Sequence, residues 1–172
     1  SSAASDVYKR QVYYLEWFCE KNGENMENVE DMRDKIEQKK VLILSLTEKE
    51  DYALAEWRKN GVDTDITLKD CPKLLRLFRR IWIKLHLPLE HIWYGDWKRV
   101  FKKYDCILVH GTWMAERVPR WIRKKAGRDI KIIWWYWNKV TKADHPERVL
   151  EQDCEKWSFD QEDCKKYGMH YN

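Results

Sequence analysis

The sequence predicts an α/β fold, a doubly wound, Rossmann-like parallel sheet of about five strands with helices on both faces. Three observations predict it. Cys106-Ile107-Leu108-Val109 and the run from Ile130 to Trp137, apolar but for Lys131, are short, as expected of strands buried on both faces. A charged stretch of helical period precedes each run. Each run stops at small or polar residues, His110-Gly111-Thr112 and Asn138. Ligands of open α/β sheets bind outside the carboxyl ends of the strands, so function is sought in those loops.

The elements follow in order. Residues 41–46 read as the first strand, with Ser45 and Thr47 at its carboxyl end. Residues 49–60 read as a helix, in which Tyr52, Ala53, Ala55, Glu56 and Trp57 fit a helical stripe and Asn60-Gly61 is a stop. Residues 62–68 alternate apolar and polar, which predicts a more exposed strand. Asp70 is the candidate N-cap of the next helix, with Pro72 in its first turn. Leu74, Leu75, Leu77, Phe78, Ile81, Trp82 and Leu85 give that helix a wide apolar face, and Pro88 ends it. Residues 89–104 are less regular, with a shorter helix after Gly95. The third strand is 106–109. A helix reaches from about 114 to 126, beginning in earnest near Val118 because of Pro119, and Gly127 closes it. The fourth strand is 130–137, followed by a loop, a helical turn at 146–150 and a short strand at 154–158. Asp160 caps a last helix that runs through Tyr167 to a stop at Gly168. Alternation of this kind implies right-handed crossovers between parallel strands.

Composition narrows the function. At 172 residues the chain suits one domain of ordinary size, and its longest apolar run is far too short to cross a bilayer. The net charge of +4 is a mild excess. Two basic groups stand out: Arg76, Arg79, Arg80, Lys84, Lys98, Arg99, Lys102 and Lys103, then Arg117, Arg120, Arg123, Lys124 and Lys125. They read as solvated helix faces or as a patch for anionic lipid headgroups or an acidic polymer. No nucleic-acid reader motif accompanies them, so nucleic acid is not an expected partner. The five cysteines form no CxxC pair and no ligand spacing with histidine, so no metal site is expected and the thiols read as reduced and cytoplasmic. Eleven tryptophans are many; most should pack in the core, and those near strand ends offer stacking platforms for a sugar ring. A Gly-x-Gly-x-x-Gly turn, a Walker A loop and a Gly-x-Ser-x-Gly elbow are all missing from the sequence, which disfavours NAD, ATP and hydrolase chemistry.

The candidate site residues are therefore those at strand ends. His110 is the best-placed general base; the alternative is a histidine that hydrogen-bonds its own loop. Gly111 either lets a ligand approach closely or takes a positive φ. Thr112 continues that loop. Trp137 and Asn138 end the next strand, where asparagine binds a sugar hydroxyl or simply forms a turn. Ser158 closes the short strand beside Asp160, which reads as a cap rather than an acid or base.

Tyr104-Asp105-Cys106-Ile107-Leu108-Val109-His110, Lys131-Ile132-Ile133-Trp134-Trp135-Tyr136-Trp137-Asn138, Trp157-Ser158-Phe159-Asp160 and Asp163-Cys164-Lys165-Lys166-Tyr167-Gly168 together resemble the amino-terminal domain of bacterial GT-B glycosyltransferase-like proteins. These act in lipopolysaccharide and capsular polysaccharide biosynthesis. Ser45, Tyr52 and Trp57 fit the same resemblance, which covers residues 39–172. It implies two Rossmann-like domains facing a cleft, the first binding the saccharide or lipid-linked acceptor and the second a nucleotide-sugar donor. Only the first is matched, so no cofactor is expected within these residues, and catalysis would need the carboxyl-terminal domain. Under that resemblance the strand-end candidates take roles, His110 as base and Ser45, Thr47, His110, Gly111, Thr112, Trp137, Asn138 and Ser158 toward substrate, although the match rests on the order of elements rather than on a catalytic signature. It implies a cytoplasmic protein, with basic helices in peripheral contact with the inner face of the membrane. A non-catalytic Rossmann-like binding domain is the alternative.

The ends are read separately. Residues 1–11, Ser-Ser-Ala-Ala-Ser-Asp-Val-Tyr-Lys-Arg-Gln, match the in-frame translation of a transposon adapter used for sequencing libraries, and are set aside from fold reasoning. Residues 12–38 form a leader with two readings. Lys21-Asn22-Gly23-Glu24-Asn25 suits upstream DNA ahead of a start at Met26, or at Met32; Tyr14, Leu15, Trp17 and Phe18 suit an amphipathic helix. The chain is expected to continue past Asn172.

Overall fold

Branched and aromatic residues fill the inner strands Val41–Ser45, Cys106–His110 and Lys131–Tyr136, whose residues are buried or half-buried on both faces, whereas the edge strands Asp63–Ile66 and His170–Tyr171 are polar or exposed. The structure, a computed structural model, describes residues 40–46, 52–59, 61–136 and 138–171. Contacts divide the chain into two units, residues 1–39 and 40–172, and the second holds the sheet. Its elements are β1 (Val41–Ser45), α1 (Tyr52–Lys59), β2 (Asp63–Ile66), α2 (Lys73–Lys84), β3 (Cys106–His110), α3 (Val118–Ala126), β4 (Lys131–Tyr136), β5 (Glu155–Ser158), α4 (Gln161–Tyr167) and β6 (His170–Tyr171). Short 3₁₀ turns occupy Glu90–Trp93, Asp96–Arg99, Phe101–Lys103, Trp113–Ala115 and Pro146–Arg148.

The sheet is parallel throughout, in the order β2-β1-β3-β4-β5-β6. The α/β class, the parallel direction and the five expected strands are as the sequence predicts. β6 is a sixth strand that the pattern did not reveal. From β1 the chain winds one way to β2 and the other way to β3, so the topological switch point lies between β1 and β3. Right-handed crossovers then place α1 over one face, and α3 and α4 over the other.

That second face carries the main core. Leu42 and Leu44, Ile107 and Val109, and Ile132, Trp134 and Tyr136 point into it from three adjacent strands. Val118 and Ile122 of α3 close over them, both fully buried. The irregular segment 90–104 packs beside α3 and supplies Tyr94, Trp97, Phe101 and Tyr104. It is pinned to the end of β2: Gly95 N–H and Trp97 Nε1 both donate to the Thr67 carbonyl, at 3.1 and 3.0 Å. A side chain on Gly95 would stand 2.3 Å from the Ile66 carbonyl oxygen, so this crossing requires glycine.

The helix ends show which local signals act. Asp160 caps α4 as expected, its Oδ1 accepting from Asp163 N–H at 2.9 Å, and Gly168 stops it in the left-handed region. Pro119 falls in the first turn of α3, which starts at Val118. Asp70 does not cap α2. Pro72 holds the N-cap place, and Asp70 instead accepts from Cys71 N–H and pairs with Arg76. The extended ψ of 153° at Pro72 delays the helix until Lys73, beyond reach of an Asp70 cap.

Most of the second basic group is spent inside the domain. Arg117 pairs with Glu90 and Arg120 with Asp153, while Arg123 donates to the carbonyls of Asp153, Gly127 and Ile130. Arg79 of the first group is also buried, with Nη1 bonded to the Lys69 carbonyl. No helix among the described residues is long and apolar enough to cross a membrane.

Candidate functional site

The register of the sheet builds the site. Leu44 sits beside Val109, which carries Ser45 to the level of His110. His110 pairs with Trp135, Trp135 with Trp157, and Trp157 with His170. Residues level in a sheet share a face. Ser45, His110, Trp135, Trp157 and His170 therefore form one row across five strands, at their carboxyl ends. The row lies on the face opposite Trp134 and the main core. His110 and Trp135 are half-buried in it. Trp157 and His170 stack at 4.8 Å between ring centroids, closing one end of the row.

Ser45 and His110 flank the switch point itself. There the crossovers leave β1 and β3 toward opposite faces, so no single connection fills the space above the two strand ends. Ser45 is itself buried. Thr47 and Trp137 lie outside the described residues. Asn138 is exposed, two residues beyond β4, and does not join the row. Ser158 is fully buried; its Oγ accepts from Asp160 N–H at 3.1 Å and supports the start of α4. Trp135, Trp157 and His170 are the row members that sequence reasoning missed. The signal for Trp135 and Trp157 was an indole in a predicted strand; His170 had none, lying beyond the predicted helix stop at Gly168.

Gly111 does not take the positive φ that was one of its two readings. A Cβ there would stand 2.9 Å from Trp134 Nε1 and 3.0 Å from the Tyr136 ring, both rings being buried. Gly111→Ala is expected to destabilise the domain by about 1–3 kcal/mol through overpacking, read from a thermal or urea melt. An unchanged melt would show that the Tyr136 ring moves aside freely.

Beyond the row, the loops after β3 and β4 are tied together on the core side. Asp144 accepts from Trp113 N–H at 3.1 Å and from the Thr141 hydroxyl at 2.7 Å. Thr112, which precedes Trp113 in the chain, is buried. Glu116, also buried, lies 3.8 Å from Arg148, and its carboxyl is raised above the ordinary range by burial. An open cleft of about 560 Å³ runs along this loop, lined by polar groups that include Asp144, His145, Glu147 and Lys166. No group of acidic, histidine and cysteine side chains suited to a metal ion occurs among the described residues.

The arrangement brings indole rings, an imidazole and a hydroxyl together at the topological switch point. An indole face packs on the C–H face of a sugar ring, and an imidazole near neutral pH takes a proton from a hydroxyl. Comparison with protein-family models, with curated proteins and with solved structures gave no match to this chain.

Proposed function

We propose that residues 40–171 form the acceptor-binding, Rossmann-like half of a glycosyltransferase of cell-surface polysaccharide synthesis. One observation carries the reading: the register sets His110 between Ser45 and Trp135 at the topological switch point. In this reading Trp135 stacks on the acceptor ring and Ser45 flanks it. His110 accepts the proton of the attacking hydroxyl as the sugar's anomeric carbon leaves its diphosphate. A nucleotide-sugar donor would be held by a second domain across the cleft, where positive charge stabilises the leaving diphosphate. A saccharide or a lipid-linked saccharide is the acceptor class that this chemistry suits.

The test separates the platform from the base. Wild-type chain applied to a glycan array should retain a subset of saccharides, and Trp135→Ala should weaken that retention about tenfold. His110→Ala should leave binding within a few fold. In a protein that joins this domain to a donor-binding domain, the same change should lower turnover by about 10²–10⁴. Retention of no glycan, or equal retention by Trp135→Ala, would overturn the reading. Full turnover by His110→Ala would remove it as the base and leave a saccharide-binding module.

A further inference from the structure

Helix α2 wears its apolar face outward. Leu74, Leu77, Phe78, Ile81 and Leu85 recur at the spacing that places them on one stripe, and every one is exposed, Leu74 to 79%. The side turned into the domain carries Arg79 and Ile83, the two residues of the helix that are buried. Lys73, Arg76, Arg80 and Lys84 line one flank of the stripe, and the helix contains no acid. Leu89 and Ile92 carry exposed apolar surface beyond its end. Leu89 holds a left-handed φ of 62°, a conformation that leucine rarely adopts, and still presents its side chain 63% exposed. At its base the helix is anchored by aromatic contacts among Phe78, Trp82 and Trp93, with Trp82 Nε1 donating to the Pro88 carbonyl at 3.0 Å.

We propose that α2 is an interfacial helix that seats this domain on an anionic lipid bilayer. The stripe is exposed along its whole length. A bilayer accepts an exposed apolar stripe without requiring a matching shape. Leucine, isoleucine, phenylalanine and tryptophan beside an all-cationic flank are the composition of helices that lie in the headgroup region of anionic membranes. The helix follows the carboxyl end of β2 and touches the turn after β3, so the seated edge is the edge that holds the His110 row. The proposal stands on the helix alone and does not rest on the glycosyltransferase reading, whose glycan test uses no lipid.

Vesicle flotation of the full chain tests it. The chain should float with vesicles of phosphatidylcholine mixed with phosphatidylglycerol, and stay behind with phosphatidylcholine alone. Arg80→Gln with Lys84→Gln should reduce the anionic partition about 25-fold, about fivefold per charge. Leu77→Glu with Ile81→Glu should abolish it, in a protein whose thermal melt matches wild type because both positions are exposed. Failure to float with anionic vesicles, or flotation unchanged by the leucine and isoleucine substitutions, would overturn the proposal. So would a concentration-dependent dimer, dissolved by those same substitutions, in a chain that binds no vesicle; a second copy would then cover the stripe.

Discussion

Trp97→Ala is expected to cost about 3–5 kcal/mol of folding free energy, a large part of what a domain of this size possesses. Trp97 is 1% exposed and sits at the centre of an aromatic cluster. Its ring lies 5.6 Å from Tyr94, 5.8 Å from Trp121 and 6.3 Å from Phe101, centroid to centroid. These contacts join the irregular segment 90–104 to α3. The Thr67 carbonyl would keep its bond from Gly95 N–H, so the cost is the cavity rather than a stranded acceptor. Trp97→Phe retains the stacking and should lose less. Val100, three residues on, is half-exposed, and Val100→Ala should change stability by about 0.5 kcal/mol or less. Urea melts of the three variants make the comparison. A small loss for Trp97→Ala would mean that segment 90–104 is not part of the cooperative core.

Stability should also fall as pH rises from about 4.5 to about 7, and Glu90 should account for most of the fall. Burial lifts its carboxyl from an ordinary value of 4.5 to about 7, against the opposing pull of Arg117 at 3.5 Å. The folded chain therefore holds a proton that the unfolded chain has released throughout that window. Stability linked to this proton is fully present below the unfolded value and is lost as pH passes through the folded one, about 3 kcal/mol in all. Glu90→Gln cannot ionise. It should flatten the profile and make the variant more stable than wild type at pH 8. Arg117 loses a partner but stays half-exposed and bonded to the Leu87 carbonyl. Glu116, raised in the same direction by burial, should add to the fall. Identical profiles for wild type and Glu90→Gln would show that the carboxyl is solvated in solution.

Which features were legible in the sequence follows from the range of the forces behind them. The strands at Cys106–His110 and Lys131–Tyr136 announce themselves because a two-sided strand is apolar over most of its length. Caps and stops such as Asp160 and Gly168 act over three or four residues, and they fell where expected. β6 has two residues, too few to show any period. The apolar stripe of α2 was visible, but periodicity says only that a helix has two faces. The burial of Arg79 opposite that stripe decides which face turns inward, and it depends on a carbonyl ten residues away. The site was half legible. Ser45 and His110 were found because each ends a strand; Trp135, Trp157 and His170 were not, because register is set between strands distant in sequence. Gly111 read as a ligand contact or a positive φ; that its Cα packs against Trp134 and Tyr136 was not legible, because no local signal places those rings beside it.

The account turns on a saccharide seating at the carboxyl ends of β1, β3 and β4. Amide chemical-shift mapping tests this most directly, with isotope-labelled chain titrated with the saccharide best retained on the array. Shifts concentrated at Ser45, His110, Gly111, Thr112 and Trp135 are predicted. Shifts gathered at the opposite edge, around Lys40, Asp105 and Lys131, or scattered without a centre, would contradict it.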